Sequence, residues 1–210
     1  MENKNLILVG GGGHCKSVID VAISAGYDIK GILDLKENVG NSILDFKITG
    51  TDDDIIKFAG VNDFIITVGQ IINANLRKQI FEKIKKAGGR LAAIISPKAN
   101  VSRYATIGEG SVIMHYAGVN ADAKIGMNNI INTSALVEHD VIIGDFCHIS
   151  TGAVVNGMCK IGNEVFVGSG SVVLNNIEIA SNSVIGAGSV INRNISERGI
   201  YVGNPVKKYG

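Results

Sequence analysis

An Ile or Val stands at every sixth residue from Ile95 to Ile191, 17 positions without a miss. Neither an α-helix, with 3.6 residues per turn, nor a strand, with a period of 2, puts such a spacing on one side. A solenoid of short strands and turns does. Each hexapeptide then forms one face of a triangular prism, and three faces close a coil of 18 residues. Successive coils stack at the roughly 4.8 Å separation of paired strands. The Ile or Val fills the interior. Four residues on comes a mostly small side chain, as at Ala99, Ala105, Ser111, Ala117, Ala123, Ala135, Cys147, Ala153, Ser171, Ser183 and Ser189, which keeps the corner tight. Gly often follows the Ile or Val directly, as at Gly108, Gly126, Gly144, Gly162, Gly168 and Gly186. A β-sandwich would need irregular loops, and this run has none.

The rhythm divides the chain into 1–95 and 96–210. Residues 1–95 alternate strands and helices. The strands are expected at Leu6 to Val9, Ile29 to Leu33, Phe64 to Val68 and Leu91 to Ile95. A helix over 14–25 would bury Val18, Val21, Ala22 and Ala25 and stop at Gly26. Thr51 and Asp52 to Asp54 offer caps for a helix reaching Ala59, and a helix over 73–87 would bury Leu76, Ile80 and Ile84. Strand, helix, strand in this order implies a parallel sheet with helices on it, an α/β, Rossmann-like arrangement.

Composition narrows the partners. Lys plus Arg total 20 against 19 Asp plus Glu, a net charge of +1, so no general field favours nucleic acid or an anionic membrane surface. The three cysteines, Cys15, Cys147 and Cys159, form no Cys-x-x-Cys pair, which argues against a disulfide framework and for a reducing compartment. The apolar run Leu6-Ile7-Leu8-Val9 is too short for a signal sequence, and no stretch is long and apolar enough for a transmembrane helix. A soluble, cytoplasmic protein is expected.

The coil length turns sequence separation into geometry, because residues 18 apart lie above one another. His139 occupies an outward corner, not an interior position, and is flanked by Glu138 and Asp140. A carboxylate can fix the tautomer of an imidazole and raise its basicity. One coil above His139 stands Gly157, which leaves open space and an accessible backbone N–H. Thr151, Ser169 and Ala187 form a column of small residues that would let an extended ligand lie along the prism, although the fold's own tight corners would also produce it. His148 is half a coil from His139 and cannot reach it within one prism. His115 is expected to be structural or peripheral. A zinc site, as in trimeric β-helix carbonic anhydrases, would need three converging ligands; the separations of 24 and 9 among His115, His139 and His148 do not resemble that family, and no metal is expected.

Read together, the Val9-Gly10-Gly11-Gly12-Gly13-His14 loop, the hexapeptides, Glu138-His139-Asp140 and the ending Val202-Gly203-Asn204-Pro205-Val206 resemble the hexapeptide-repeat sugar acyltransferases. These are the NeuD/PglD-like family of sialic-acid O-acetyltransferases and UDP-4-amino-sugar N-acetyltransferases. The resemblance implies a left-handed parallel β-helix after the Rossmann-like domain, a homotrimer with active sites between prisms, and acetyl-CoA as co-substrate. It implies His139 as general base, with Asp140, or less readily Glu138, as its orienting carboxylate and the Gly157 N–H as oxyanion donor. Some members carry Glu where Asp140 stands. His148, Ser169 and Ala187 match positions at the CoA site, and Lys207 and Lys208 follow a tail that closes it.

Gly10 to Gly13 lie between a strand and a helix, where backbone N–H groups can cradle a phosphate. Cys15 stands where the last glycine of Gly-x-Gly-x-x-Gly would be, and no hydride-handling site accompanies the loop, which weakens an NAD-linked reading. The resemblance instead implies a nucleotide-sugar site, a UDP-linked amino sugar, near Gly12, Gly13, His14, Asp34 and Gly69, all at carboxyl ends of expected strands. The expected activity is acetyl transfer to a sugar amine or hydroxyl in glycan precursor synthesis. The alternatives are a sialic-acid-type O-acetyltransferase and a nucleotide-sugar-binding protein without turnover.

Overall fold

The computed structural model describes residues 4–209, and the chain forms two compact units: 1–69 with 75–94, and 70–74 with 95–210. In the first unit a six-stranded sheet runs in the order β3-β4-β2-β1-β5-β6. The strands are β1 (Asn5–Val9), β2 (Asp28–Leu33), β3 (Ser42–Ile43), β4 (Phe46–Gly50), β5 (Asp63–Ile66) and β6 (Arg90–Leu91). All pairings are parallel except the β3–β4 hairpin, which the sequence pattern did not announce. The helices are α1 (Gly13–Ser24), α2 (Ile55–Phe58) and α3 (Asn75–Lys86). β1 lies at the centre because its run Leu6 to Val9 is apolar and wholly buried. The chain builds outward from β1 through β2 and β4, then returns to its other side with β5. The order therefore reverses between β1 and β5, where open α/β sheets form ligand crevices at the strands' carboxyl ends.

Two local expectations are corrected. Helix α3 buries Arg77, Ile80 and Ile84, while Leu76 is exposed. The residues 91–95 are not one strand: Arg90–Leu91 pairs with β5, and Ile94–Ile95 instead begins the repeat region. Thr51 and Asp54 do form a reciprocal cap ahead of α2, the Thr51 N–H donating to Asp54 Oδ2 at 2.8 Å.

In the second unit, two-residue strands recur every six residues and stack into three parallel sheets. One face holds 94–95, 112–113, 130–131, 148–149, 166–167 and 184–185; a second holds 100–101 through 190–191; the third holds 106–107 through 178–179. Each pairing joins residues 18 apart, such as Val137 with Val155 and Ile143 with Ile161. The sixth-position Ile and Val residues from 113 to 191 are buried in one continuous core. At the open first coil the burial fails, and Ile95 is 38% exposed. The sharp bend at each corner comes from a left-handed residue three positions after the core Ile or Val, recurring from Gly110 to Gly188. Most of these are not glycine; Asp, Asn and other side chains take the strained conformation. After Ile200–Val202 joins the first face in parallel, Lys207–Tyr209 turns back and pairs with it antiparallel.

Candidate active site

His139 lies on the corner between the second and third faces, just after the strand Leu136–Val137. Its Nδ1 is 2.8 Å from Asp140 Oδ2. A carboxylate accepts only, so Nδ1 carries a proton, and in the neutral ring Nε2 has the lone pair. Glu138 is otherwise engaged: its Oε2 accepts from Asn120 Nδ2 at 2.7 Å, one coil away. The orienting contact thus belongs to Asp140, which also supplies the left-handed bend, at φ 61°. Both side chains of the pair are about half exposed, at 51% and 54%.

The 18-residue register brings Gly157 against this imidazole. A Cβ at Gly157 would stand 2.7 Å from His139 Cε1 and 2.8 Å from Nε2, so only glycine leaves the ring its place. The carbonyl of Gly157 accepts the Asn176 N–H at 3.1 Å, and the His139 carbonyl accepts the Met158 N–H at 3.1 Å. Those two bonds lock the neighbouring coils together. Among the described residues the Gly157 N–H itself has no hydrogen-bond acceptor. A base with an open lone pair and an uncommitted backbone donor one coil away is an arrangement suited to acyl transfer.

The other expected residues of the β-helix lie elsewhere on the prism. Ser169 and Ala187 are exposed on the corner between the first and second faces, stacked above Thr151 by the bonds Gly170 N–H to Thr151 carbonyl and Gly188 N–H to Ser169 carbonyl. Ser169 Oγ is 2.9 Å from Ser150 Oγ. His148 is buried on the first face, between Gln70 and Asn132, with the Phe166 ring edge-on at 5.2 Å. Within one prism these three residues are not brought to His139. His115 bonds Ser96 Oγ through Nδ1 at 2.7 Å on a different coil.

In the first unit, Gly10 to Gly13 link β1 to α1. Gly10 sits at φ +110°, and a Cβ there would stand 3.0 Å from the Val68 backbone nitrogen, a conformation and a contact that exclude a side chain. Thr67 Oγ1 donates to the Gly10 carbonyl, tying the ends of β1 and β5 together. Gly12 and Gly13 open α1 with empty space where their Cβ atoms would be, and no acidic residue occupies the helix's first turn. Asp34, at the end of β2, accepts from Asn38 Nδ2 at 2.8 Å and abuts Gly11. Gly69, beyond β5, faces His14: a Cβ built there would lie 3.9 Å from His14 Cβ. The structure therefore gathers Gly12, Gly13, His14, Asp34 and Gly69 around the carboxyl ends of β1, β2 and β5.

Arg77 is a member of this neighbourhood that the sequence reading missed. It is wholly buried, and its Nη1 donates to the carbonyls of Ile66 at 3.1 Å and Val68 at 2.6 Å, at the end of β5. Burial pulls its guanidinium down to about 10. Its spacing with Ile80 and Ile84 (i, i+3, i+7) was the available signal. Cys15, under the glycine loop, has its thiol pushed up to about 11, chiefly by burial, so it is a packing residue and not a nucleophile. Among the described residues, no group of three His, Cys, Asp or Glu side chains is placed to hold a metal ion, and no helix is long and apolar enough to cross a membrane.

Comparison with known proteins agrees with both units. A family model for the PglD N-terminal domain matches residues 5–84, and one for the bacterial transferase hexapeptide (six repeats) matches residues 158–193. The acetyltransferase domain of PglB from Neisseria gonorrhoeae FA1090 is 34% identical, with 99% of this chain and 100% of that chain covered and a TM-score of 0.90; it has also been solved with acetyl coenzyme A. PerB from Caulobacter crescentus, in complex with CoA and GDP-perosamine, is 30% identical, with 98% and 97% covered and a TM-score of 0.91. WeeI from Acinetobacter baumannii AYE shares the fold at 23% identity, with 98% and 100% covered and a TM-score of 0.86. An uncharacterized protein of Acanthamoeba polyphaga mimivirus is 37% identical over 108 residues, which are 50% of this chain and 20% of that protein, so the chain spans about a fifth of that relative's length. Identity that extends over the whole of the PglB domain, with the same Rossmann-like unit followed by a left-handed parallel β-helix, places the chain in the NeuD/PglD-like family of hexapeptide-repeat sugar acetyltransferases.

Proposed function

We propose that the protein transfers the acetyl group of acetyl-CoA to the amine of a nucleotide-linked amino sugar, with His139 as general base. The observation that carries the reading is the His139–Asp140 pair lying against Gly157. Asp140 holds the Nδ1 proton, so Nε2 takes a proton from the attacking amine as its nitrogen bonds to the thioester carbonyl carbon. The oxyanion that forms is met by the Gly157 N–H. Collapse breaks the C–S bond, and the proton on His139 passes to the departing sulfur, leaving an amide and free CoA. Asp140 stabilises the imidazolium in between.

The first unit holds the nucleotide. Gly12 and Gly13 admit the diphosphate to the amino end of α1, and Asp34 accepts from the ribose or base. UDP is the nucleotide we favour; PerB, bound to GDP-perosamine, makes GDP the comparison to run. Acetyl-CoA meets His139 between neighbouring copies of a homotrimer, where a second prism offers its His148, Ser169 and Ala187. Buried, unpaired cysteines suit a cytoplasmic enzyme working on glycan precursors.

Release of free thiol on mixing the protein, acetyl-CoA and a panel of UDP- and GDP-linked amino sugars tests the reading. His139→Ala is expected to lower kcat by about 10²-fold or more with the fold intact. Wild-type protein that binds a nucleotide sugar yet releases no CoA would make it a binding protein, and a fully active His139→Ala variant would remove the mechanism.

A further inference from the structure

His148 sits in a hydrogen-bond chain whose direction can be read at each link. The Thr133 N–H donates to Asn132 Oδ1 at 2.8 Å. This fixes the amide, and the Asn132 Nδ2 end therefore faces His148 Nε2, at 3.0 Å. An amide NH₂ only donates, so Nε2 accepts. On the ring's other side Nδ1 is 2.8 Å from the Gln70 carbonyl oxygen, which only accepts, so Nδ1 carries the proton. Gln70 is buried and anchored, its Nε2 donating to the Phe146 carbonyl at 2.6 Å. The Phe166 ring, edge-on at 5.2 Å, fixes the imidazole plane.

We infer that Gln70 and Asn132 lock His148 as the Nδ1–H tautomer, making both of them positioning residues for the histidine on the cofactor side of the site. The assignment rests on the proposed transferase reading only for its consequence. The one lone pair of His148, on Nε2, is then engaged by Asn132, whereas His139 keeps its Nε2 open. Gln70 follows directly on Gly69 in the chain.

Long-range proton–nitrogen NMR spectra of the isotope-labelled full chain, without ligands, report the tautomer of each imidazole. The His148→Asn variant identifies the His148 signal by its loss. The expected signal is that of Nδ1–H; an Nε2–H or doubly protonated ring overturns the inference. Asn132→Asp puts a carboxylate, an acceptor, against Nε2, and Gln70→Ala removes the anchor of the carbonyl. Each is expected to shift the His148 signal and to raise KM for acetyl-CoA about fivefold, the loss of one hydrogen bond, with KM for the sugar unchanged. Variants that keep both the signal and KM overturn it. Should Gln70→Ala fail to fold, Asn132→Asp decides alone. An Nδ1–H signal in a chain that transfers no acetyl group counts against the transferase reading and leaves the tautomer assignment standing.

Discussion

At the scale of single residues, two carboxylates next to one histidine have different employments. Asp140 holds the ring, whereas Glu138 is bonded to Asn120 on the adjacent coil. Asp140→Asn, able to present a donor to Nδ1, is expected to lower kcat at least about tenfold. Glu138→Gln keeps an acceptor for Asn120 and is expected to leave kcat unchanged. Steady-state rates of the pair settle which carboxylate serves the base. His139, its outward position and its glycine neighbour were legible in the sequence because coil stacking converts a separation of 18 into contact. The choice between Asp140 and Glu138 was not, since both flank the ring and only side-chain geometry distinguishes them. Gln70 and Asn132 left no periodic trace at all, because their roles depend on hydrogen-bond direction.

At the scale of elements, the glycine loop is supported from below. Arg77 on α3 satisfies the carbonyls of Ile66 and Val68 just before Gly69. Arg77→Met fills the space and removes the donors, which leaves buried carbonyls unsatisfied at a cost of about 1–3 kcal/mol. A lower melting temperature together with a raised KM for the nucleotide sugar is the expected outcome. Helical period predicted α3, but apolar bias selected Leu76 over Arg77, since a charged residue is not expected on a buried face. In the β-helix, Cys147 fills a corner, its thiol donating to the Gly162 carbonyl at 3.0 Å. Burial pushes the thiol up to about 12 from 9.0. The folded chain therefore holds this proton more tightly than the unfolded one, and stability is lost as pH rises above about 9 toward about 12. Melting curves across that window should decline, and Cys147→Ala should flatten the decline. The hexapeptide strands were readable to the residue, for their period is imposed by the prism's closure. The β3–β4 hairpin and the split of 91–95 were not, because short strands carry too few residues to show a period.

At the scale of the whole molecule, the residues proposed for the site lie on two different corners of the prism. His139 and Gly157 occupy the corner between the second and third faces, while Ser169 and Ala187 occupy the corner between the first and second. If neighbouring copies complete the site, two inactive variants can repair one another. His139→Ala and Ala187→Trp, each expected to be nearly inactive alone, should regain activity when co-assembled, because a mixed oligomer contains interfaces with one intact base and one intact cofactor corner. Activity of the co-expressed mixture, compared with the sum of the separate proteins, measures this; no gain would overturn a site shared between copies.

Every coil of the β-helix offers the next a row of parallel backbone partners, a pattern that has no inherent stopping point. The reversal at Lys207–Tyr209 supplies one: a strand of opposite polarity covers the first face's last rung, and Lys208 on it is paired with Glu197 at 2.9 Å. A molecule approaching end-on finds a mismatched polarity and lysines in place of a template. The same few residues thus end the first face on a rung that a further parallel coil does not match.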